Sequence, residues 1–318
     1  MTQMTTGQAR IVDPVLTTHA IGYVKPGNVG SILFPRVEVA MRAGKVTKFG
    51  KEGFRRYNTK RAPGESTKRV QFGYQDGSYA IVDAALEAVV PDEIGQEAAA
   101  GPHIDASQDA VDLTLDIFEL EHECECADIA RNPANYDNDH KVALVGTNRW
   151  RGADGDPTAN IEVGKEAIRA KIGVRPNAAL ISAAGWSALK ANAKIRDYLK
   201  HLGKETLTVD ILKALWEIPN IAIGEAVVAD GPDDDLGDVW GDDVILAFVA
   251  PPNGSNRRSA AKPSYGYTYS LRGQPNVRMA YRDENRQSWI HPVNNNRTPQ
   301  LTGMVAGYLI QNAGADPA

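Results

Sequence analysis

Cysteine is almost missing: Cys124 and Cys126 are the only two in 318 residues. Thiols two positions apart on a helix point away from each other, so they cannot pair, and two cysteines build no disulfide framework. A reducing, cytosolic origin is the default expectation. No apolar run approaches the roughly 20 residues that span a bilayer, so no membrane role is expected. The opening MTQMTTGQARIVDPVLTTHA lacks the basic-then-apolar order of an export signal. Motifs that carry chemistry are absent as well. There is no G-x-G-x-x-G behind a strand, no phosphate loop, no G-x-S-x-G and no H-E-x-x-H. No catalytic residue, cofactor or metal is expected, and the chain reads as a non-enzyme.

Charge of one sign is missing over a long stretch. From Val70 to Ala130 there is no lysine or arginine, while fifteen acidic residues fall there. Just before it, from Arg36 to Arg69, eleven basic residues face only Glu38, Glu52 and Glu65. The whole chain carries −5, so it has no overall nucleic-acid signature. A basic block beside an acidic block predicts either paired surfaces, within a chain or between copies, or two separately solvated faces.

What is present is a soluble globular composition, 42% hydrophobic and 24% charged, long enough for one large or two ordinary domains. Residues 1 to about 35 carry recurrent Gly and Pro and read as an arm. VEVAM (37–41) reads as a strand, and the basic, glycine-punctuated run after it as a long exposed hairpin-like loop. Loops of that length are usually functional or disordered. The strands VQFGYQ and YAIVDAALEAVVP return from it.

The stretch ELEHECECADIARNP (119–133) crowds a histidine, two cysteines and five acidic residues together. Its context makes it the end of a helix. Leu113, Ile117, Leu120, Cys124 and Ala127 form one stripe, and Val111, Leu115, Phe118 and His122 a second, over a helix about 40 Å long. Asp105 or Ser107 caps its start, and Arg131 followed by Pro133 ends it. Cys124 is expected inside and Cys126 at the edge. Only His122 and Cys126 have the i,i+4 spacing that lets two metal ligands share a face, and no third ligand is recognisable.

Farther on, helices are expected over DPTANIEVGKEAIRAKIG, capped by Thr158 and stopped at Gly173, over AAGWSALKANAKI, and over TVDILKALWEI. RPNAALIS is a strand, with Ser182 as a helix cap. From Ile221 the pattern is β-rich, so the class is α+β. Seven aspartates between Asp230 and Asp243 lack the twelve-residue calcium loop and read as a solvated surface turn.

The order of NPANYDNDHKVALVGTNRW, DPTANIEVGKEAIRAKIGVRPNAALISAAGWSALKANAKI, VWGDDVILAFVAP, PSYGYTY and AGYLIQNA resembles major capsid proteins of tailed bacteriophages, the lambda-like branch of the Hong Kong 97-type fold. The resemblance covers roughly 105–318. It implies an N-terminal arm (1–35), an extended loop (36–90), a peripheral domain (91–175) with a spine helix at 105–131, an axial domain (176–275), and a return to the peripheral domain (276–318). It also implies a virion protein, assembled in the host cytoplasm, that forms hexamers and pentamers of an icosahedral shell around double-stranded DNA. Separate scaffolding, portal and decoration proteins are expected as partners, and no Lys–Asn crosslink. In that plan the extended loop lies over a neighbouring subunit, so Arg55, Arg56, Lys60 and Arg61 are expected to meet Glu119, Glu121, Glu123 and Glu125. The rival readings are an encapsulin-type compartment shell and, from another class, a metal-dependent enzyme using His122 and Cys126. Genomic neighbours separate the two shells, and particle size separates either from an enzyme.

Overall fold

The computed structural model describes residues 12–23, 25, 27–46, 60, 66, 77–100, 105–229, 231, 235–252 and 262–317. Helix α1 (Pro14–Gly22) starts where Asp13 accepts hydrogen bonds from the Val15 and Leu16 N–H groups, which helix geometry leaves without partners. The single turn α2 (Gly30–Leu33) follows, then β1 (Arg36–Val39) and β2 (Ala43–Lys45). Strand β3 (Ser78–Ala80) pairs antiparallel with β2, Gly44 facing Tyr79, so the basic excursion closes at its base as a hairpin. Next come β4 (Ala85–Pro91), α3 (Asp92–Ala100) and the long helix α4 (Ala106–Arg131).

Helix α4 has 26 residues, about 39 Å at 1.5 Å per residue, and its cap is Asp105, which accepts from the Ser107 and Gln108 N–H groups. Past it lie β5 (Lys141–Ala143), α5 (Pro157–Ile172), β6 (Ala178–Ser182), α6 (Ala183–Ala191), α7 (Ala193–His201), α8 (Val209–Trp216) and β7 (Asn220–Gly224). Asp156, not the expected Thr158, caps α5, and Gly173 ends it in the left-handed conformation. Ser182 caps α6 as expected, its hydroxyl accepting from Gly185 N. The single helix expected over AAGWSALKANAKI is broken at Asn192. Its Oδ1 accepts from the Lys194 and Ile195 N–H groups, while its Nδ2 donates to the Trp150 and Gly155 carbonyls. An asparagine that satisfies backbone on both sides ends one helix and starts the next.

The β-rich remainder comprises β8 (Val227–Val228), β9 (Gly237–Asp238), β10 (Val244–Ala247), β11 (Gly266–Leu271), β12 (Asn276–Val277), β13 (Tyr281–Asp283), β14 (Ser288–Asn294), β15 (Arg297–Leu301) and β16 (Gly307–Gln311). The main sheet has the order β5-β16-β10-β6-β7. Every residue of β6 and β10 is buried, as strands covered on both faces must be. Helix α5 covers one face, where Gly164 meets Leu246 and Tyr308. On the other face Gly307 lies against Tyr265 and Tyr136, and the Tyr136 hydroxyl donates to the Ala130 carbonyl of α4. A second sheet joins β12, β14 and β13, with β4 paired along all of β14. A third runs β1-β11-β15.

Residues 276–318 divide between sheets. The strands from β12 to β14 pair with β4 beside α4, but β16 runs between β10 and β5 in the main sheet. An all-apolar strand such as β10 needs a hydrogen-bonding neighbour on each side, and GYLIQ supplies one.

The contact at Gly164 gives the first prediction. A β-carbon there would come within 2.7 Å of Leu246 Cδ1 and 2.8 Å of Tyr308 Cδ1, so Gly164→Val overpacks the helix against the sheet. The expected loss is about 1–3 kcal/mol, read as a lower denaturant midpoint at unchanged slope. An unchanged midpoint would mean that α5 does not sit this close.

Candidate assembly surface

Helix α4 is a structural spine with one face inside and one outside. Val111, Thr114, Leu115, Phe118, His122, Glu123, Cys126, Ala127 and Ala130 are buried. Of the first stripe, Leu113 and Ile117 are open, at 64% and 51% exposure, while Ala127 is buried. Both stripes are apolar, and the arm and strands pack on the second one. The cysteines are correspondingly exchanged: Cys126 is fully buried and Cys124 only partly. Burial pushes the Cys126 thiol well up, so it is held as the neutral group.

Part of the acidic face is satisfied within the chain. His19 lies 2.5 Å from Asp112, and the Tyr23 hydroxyl donates to Asp116 at 2.6 Å. Burial and that carboxylate together raise the Tyr23 phenol to about 12. Lys25 stands 3.6 Å from Asp116, and Asn28 donates to the Glu119 carbonyl. The arm therefore lies along its own spine helix.

Glu123 closes this contact from inside, and corrects the expectation that it faces a neighbour. Its Oε1 accepts from Val29 N at 2.9 Å and Trp240 Nε1 at 2.7 Å, and its Oε2 from Gly30 N at 2.8 Å. It is 1% exposed, and no docking chain reaches it. Burial pushes its carboxyl up, and the three N–H donors pull it back. Of the other expected acids, Glu119 lies 3.5 Å from the buried Arg297, while Glu121 and Glu125 are exposed. Lys60 is exposed too; Arg55, Arg56 and Arg61 lie outside the described residues.

Arg297 escaped the sequence reading. It sits 5% exposed on β15 and donates through Nη2 to the Phe118 carbonyl of α4. The signal was present as one cation after three asparagines in NNNRTPQL. Beside it, Thr268 donates to the Phe34 carbonyl, so His122 must donate from Nε2 to the Thr268 oxygen, 2.8 Å away. That assigns the tautomer. Cys126 Sγ is 3.5 Å from the same nitrogen, and no group of three metal-ligating side chains occurs among the described residues. The aspartate turn is not uniformly solvated either. Asp243 is buried, accepts from Arg131 Nε at 2.9 Å and from Asn312 N at 3.0 Å, and ties the end of α4 to the main sheet. Asp235 and Asp238 are exposed, and Asp230, Asp233 and Asp234 lie outside the described residues.

Burial, then the cations Arg297 and Arg36, hold the His122 imidazole well below its ordinary value. The native state therefore binds fewer protons than the unfolded chain below about pH 6.5, and stability falls as pH drops through that value. His122→Gln, which keeps a donor for Thr268, is expected to flatten the slope of stability against pH between about 7 and 5. Denaturant titrations across that window check it; an unaltered slope would exclude His122 as the titrating group. By the same burial, Cys126→Asp is expected to cost about 2–5 kcal/mol and Cys124→Ser little.

Comparison with known proteins places the chain in a family. Residues 135–294 match the family model "Phage major capsid protein E". The major capsid protein of Burkholderia phage BcepMu is 40% identical over 304 residues, covering 95% of this chain and 96% of that protein. A phage-related protein from Bordetella bronchiseptica, solved by crystallography, superposes with a TM-score of 0.84 at 48% identity, over 98% of this chain and 100% of that one. The capsid of cyanophage P-SCSP1u shares the fold alone, with a TM-score of 0.52 at 10% identity over 91% and 90% of the two chains. The chain belongs to the phage major capsid protein E family, in the Hong Kong 97-type fold.

Proposed function

We propose that this subunit assembles with copies of itself into hexamers and pentamers of an icosahedral phage head that encloses double-stranded DNA. The observation that carries the reading is the 40% identity, along nearly the whole chain, to a phage major capsid protein. The same likeness favours a phage head over an encapsulin-type compartment. The outward-facing Leu113 and Ile117 on α4 support it, since apolar side chains so open on a rigid helix are suited to being covered by a partner. Portal, scaffolding and decoration proteins would then be its partners, and the virion its location. Purified protein is expected to give megadalton particles by light scattering and closed shells by electron microscopy. A small, monodisperse oligomer under all conditions would overturn the reading.

The charge boundary at Arg69 supports a finer proposal, that the basic loop of one subunit lies on the acidic outer face of a neighbour's spine helix. Single exposed pairs contribute only ~0–1 kcal/mol, so repetition over a shell has to supply the effect. Because Glu119 and Glu123 are engaged within the subunit, Glu121 and Glu125 are the acids left to receive it. Replacing Arg55, Arg56, Lys60 and Arg61 by glutamate is expected to block empty-shell formation. Adding Glu121→Lys and Glu125→Lys is expected to restore part of it. Normal empty shells that fail only at DNA packaging would point to a nucleic-acid role for the loop.

A further inference from the structure

From Arg131 to Arg175 every lysine and arginine reaches a carboxylate or a carbonyl oxygen. Along α7 this changes. Lys190, near the end of α6, and Arg196 and Lys200 of α7 are exposed, and none of them meets a carboxylate among the described residues. The acids closest to them in the chain are engaged elsewhere: Asp197 lies 3.6 Å from His201, and Asp156 accepts from Lys194 at 2.7 Å. Lys204 has Glu205 beside it and does not belong to this set.

The three cations form a strip. Arg196 and Lys200 are four positions apart on α7, so their side chains stand one turn above the other. Arg196 Nε donates to the Lys190 carbonyl at 2.9 Å, which brings the third cation alongside. The Lys190 ammonium lies 4.9 Å over the Trp186 ring, a contact that orients the side chain and leaves its charge in place. Apart from Trp186 beneath Lys190, the strip has no large apolar side chain. The open ones at α7, Tyr198 and Leu202, turn instead to the groove beside α8. A protein interface is built on an apolar centre and is depleted in lysine, whereas a stripe of cations along one helix is the footprint of a nucleic-acid backbone.

We propose that Lys190, Arg196 and Lys200 form a contact surface for the phosphate backbone of double-stranded DNA, independent of base sequence. This rests on the shell reading above and assigns residues to the enclosure of the duplex. Each cation that neutralises a phosphate releases condensed counterions, so affinity follows the number of cations and is lost as salt rises. One subunit holds the duplex weakly, and many copies on a shell hold it by repetition.

The test uses the full-length chain and a short, fluorescently labelled DNA duplex of mixed sequence, with affinity read by anisotropy over a salt series. Replacing Lys190, Arg196 and Lys200 together by glutamine is expected to flatten the slope of log affinity against log salt by about 2.7, or about 0.9 for each of the three phosphates. Lys200→Gln alone is expected to flatten it by about 0.9. The triple change is expected to leave empty-shell formation and far-ultraviolet circular dichroism unaltered. As a control, glutamine at Lys171, Lys194 and Lys213, which already meet Asp139, Asp156 and Asp210, is expected to move the slope little. An unchanged slope in the triple variant, or an equal change in the control, would overturn the surface. So would loss of empty shells with duplex binding intact, which would make the strip a contact between protein subunits. If the unaltered chain forms no particles, the shell reading fails on that result, and the duplex affinity of the free subunit tests the strip separately.

Discussion

Three N–H groups from two distant parts of the chain converge on one buried carboxylate, and much of the architecture follows from that convergence. Val29 and Gly30 present the start of a helical turn to Glu123, and Trp240 presents its indole. A carboxylate with 1% exposure is tolerable only because those donors replace its water. In exchange it fixes the arm, the spine helix and the entrance to β10 against one another. Gly30 is part of the same constraint, since a β-carbon there would lie 2.9 Å from both Cys126 Cβ and Glu123 Oε2. The arm approaches the helix closely enough to be capped because it has no side chain at that point.

From this junction the molecule divides its polar groups into inward and outward sets. Inside, Arg297 reaches a helix carbonyl, Arg131 reaches Asp243, and the hydroxyls of Tyr136 and Tyr265 meet at 2.5 Å. Removing one partner from such a pair strands the other in a medium that cannot solvate it, so these groups define a single arrangement of the spine on the sheets. Outside, the spine keeps acids and two open apolar side chains. A building block that must present the same surfaces many times benefits from this separation, since its interior does not rearrange when its exterior is covered.

How much of this was legible in the sequence depended on whether the cause was local. The bounds of α4 follow from Asp105 and from the Arg131–Pro133 stop, and the end of α5 from Gly173, because caps act within one turn. The charge boundary at Arg69 is equally local. The two apolar rows of α4 read together as one broad inward face, whereas the row through Val111, Leu115 and Phe118 is inside and Leu113 and Ile117 of the other are open. Only the elements packed on the second row distinguish them. Glu123 looked like one acid among many. Its partners are two backbone N–H groups and an indole, 93, 94 and 117 residues away, and no composition or spacing points to them. Asp243 was hidden in the same way among exposed aspartates. The position of β16 could not be read either, since AGYLIQNA shows a strand but not which neighbours it joins.

The place of β16 bears on when the subunit comes into being. It fills the gap between β10 and β5, so the main sheet is incomplete until residues 307–311 have been made. Before that, β10 has an open edge and Gly307 is not there to receive Tyr265 and Tyr136. Sheets closed by pairings this far apart in sequence form slowly and only once the distant strand is available. A chain that lacks these five residues therefore leaves the inner edges of β10 and β5 unpaired, so the sheet that carries α5 depends on a strand made long after its neighbours.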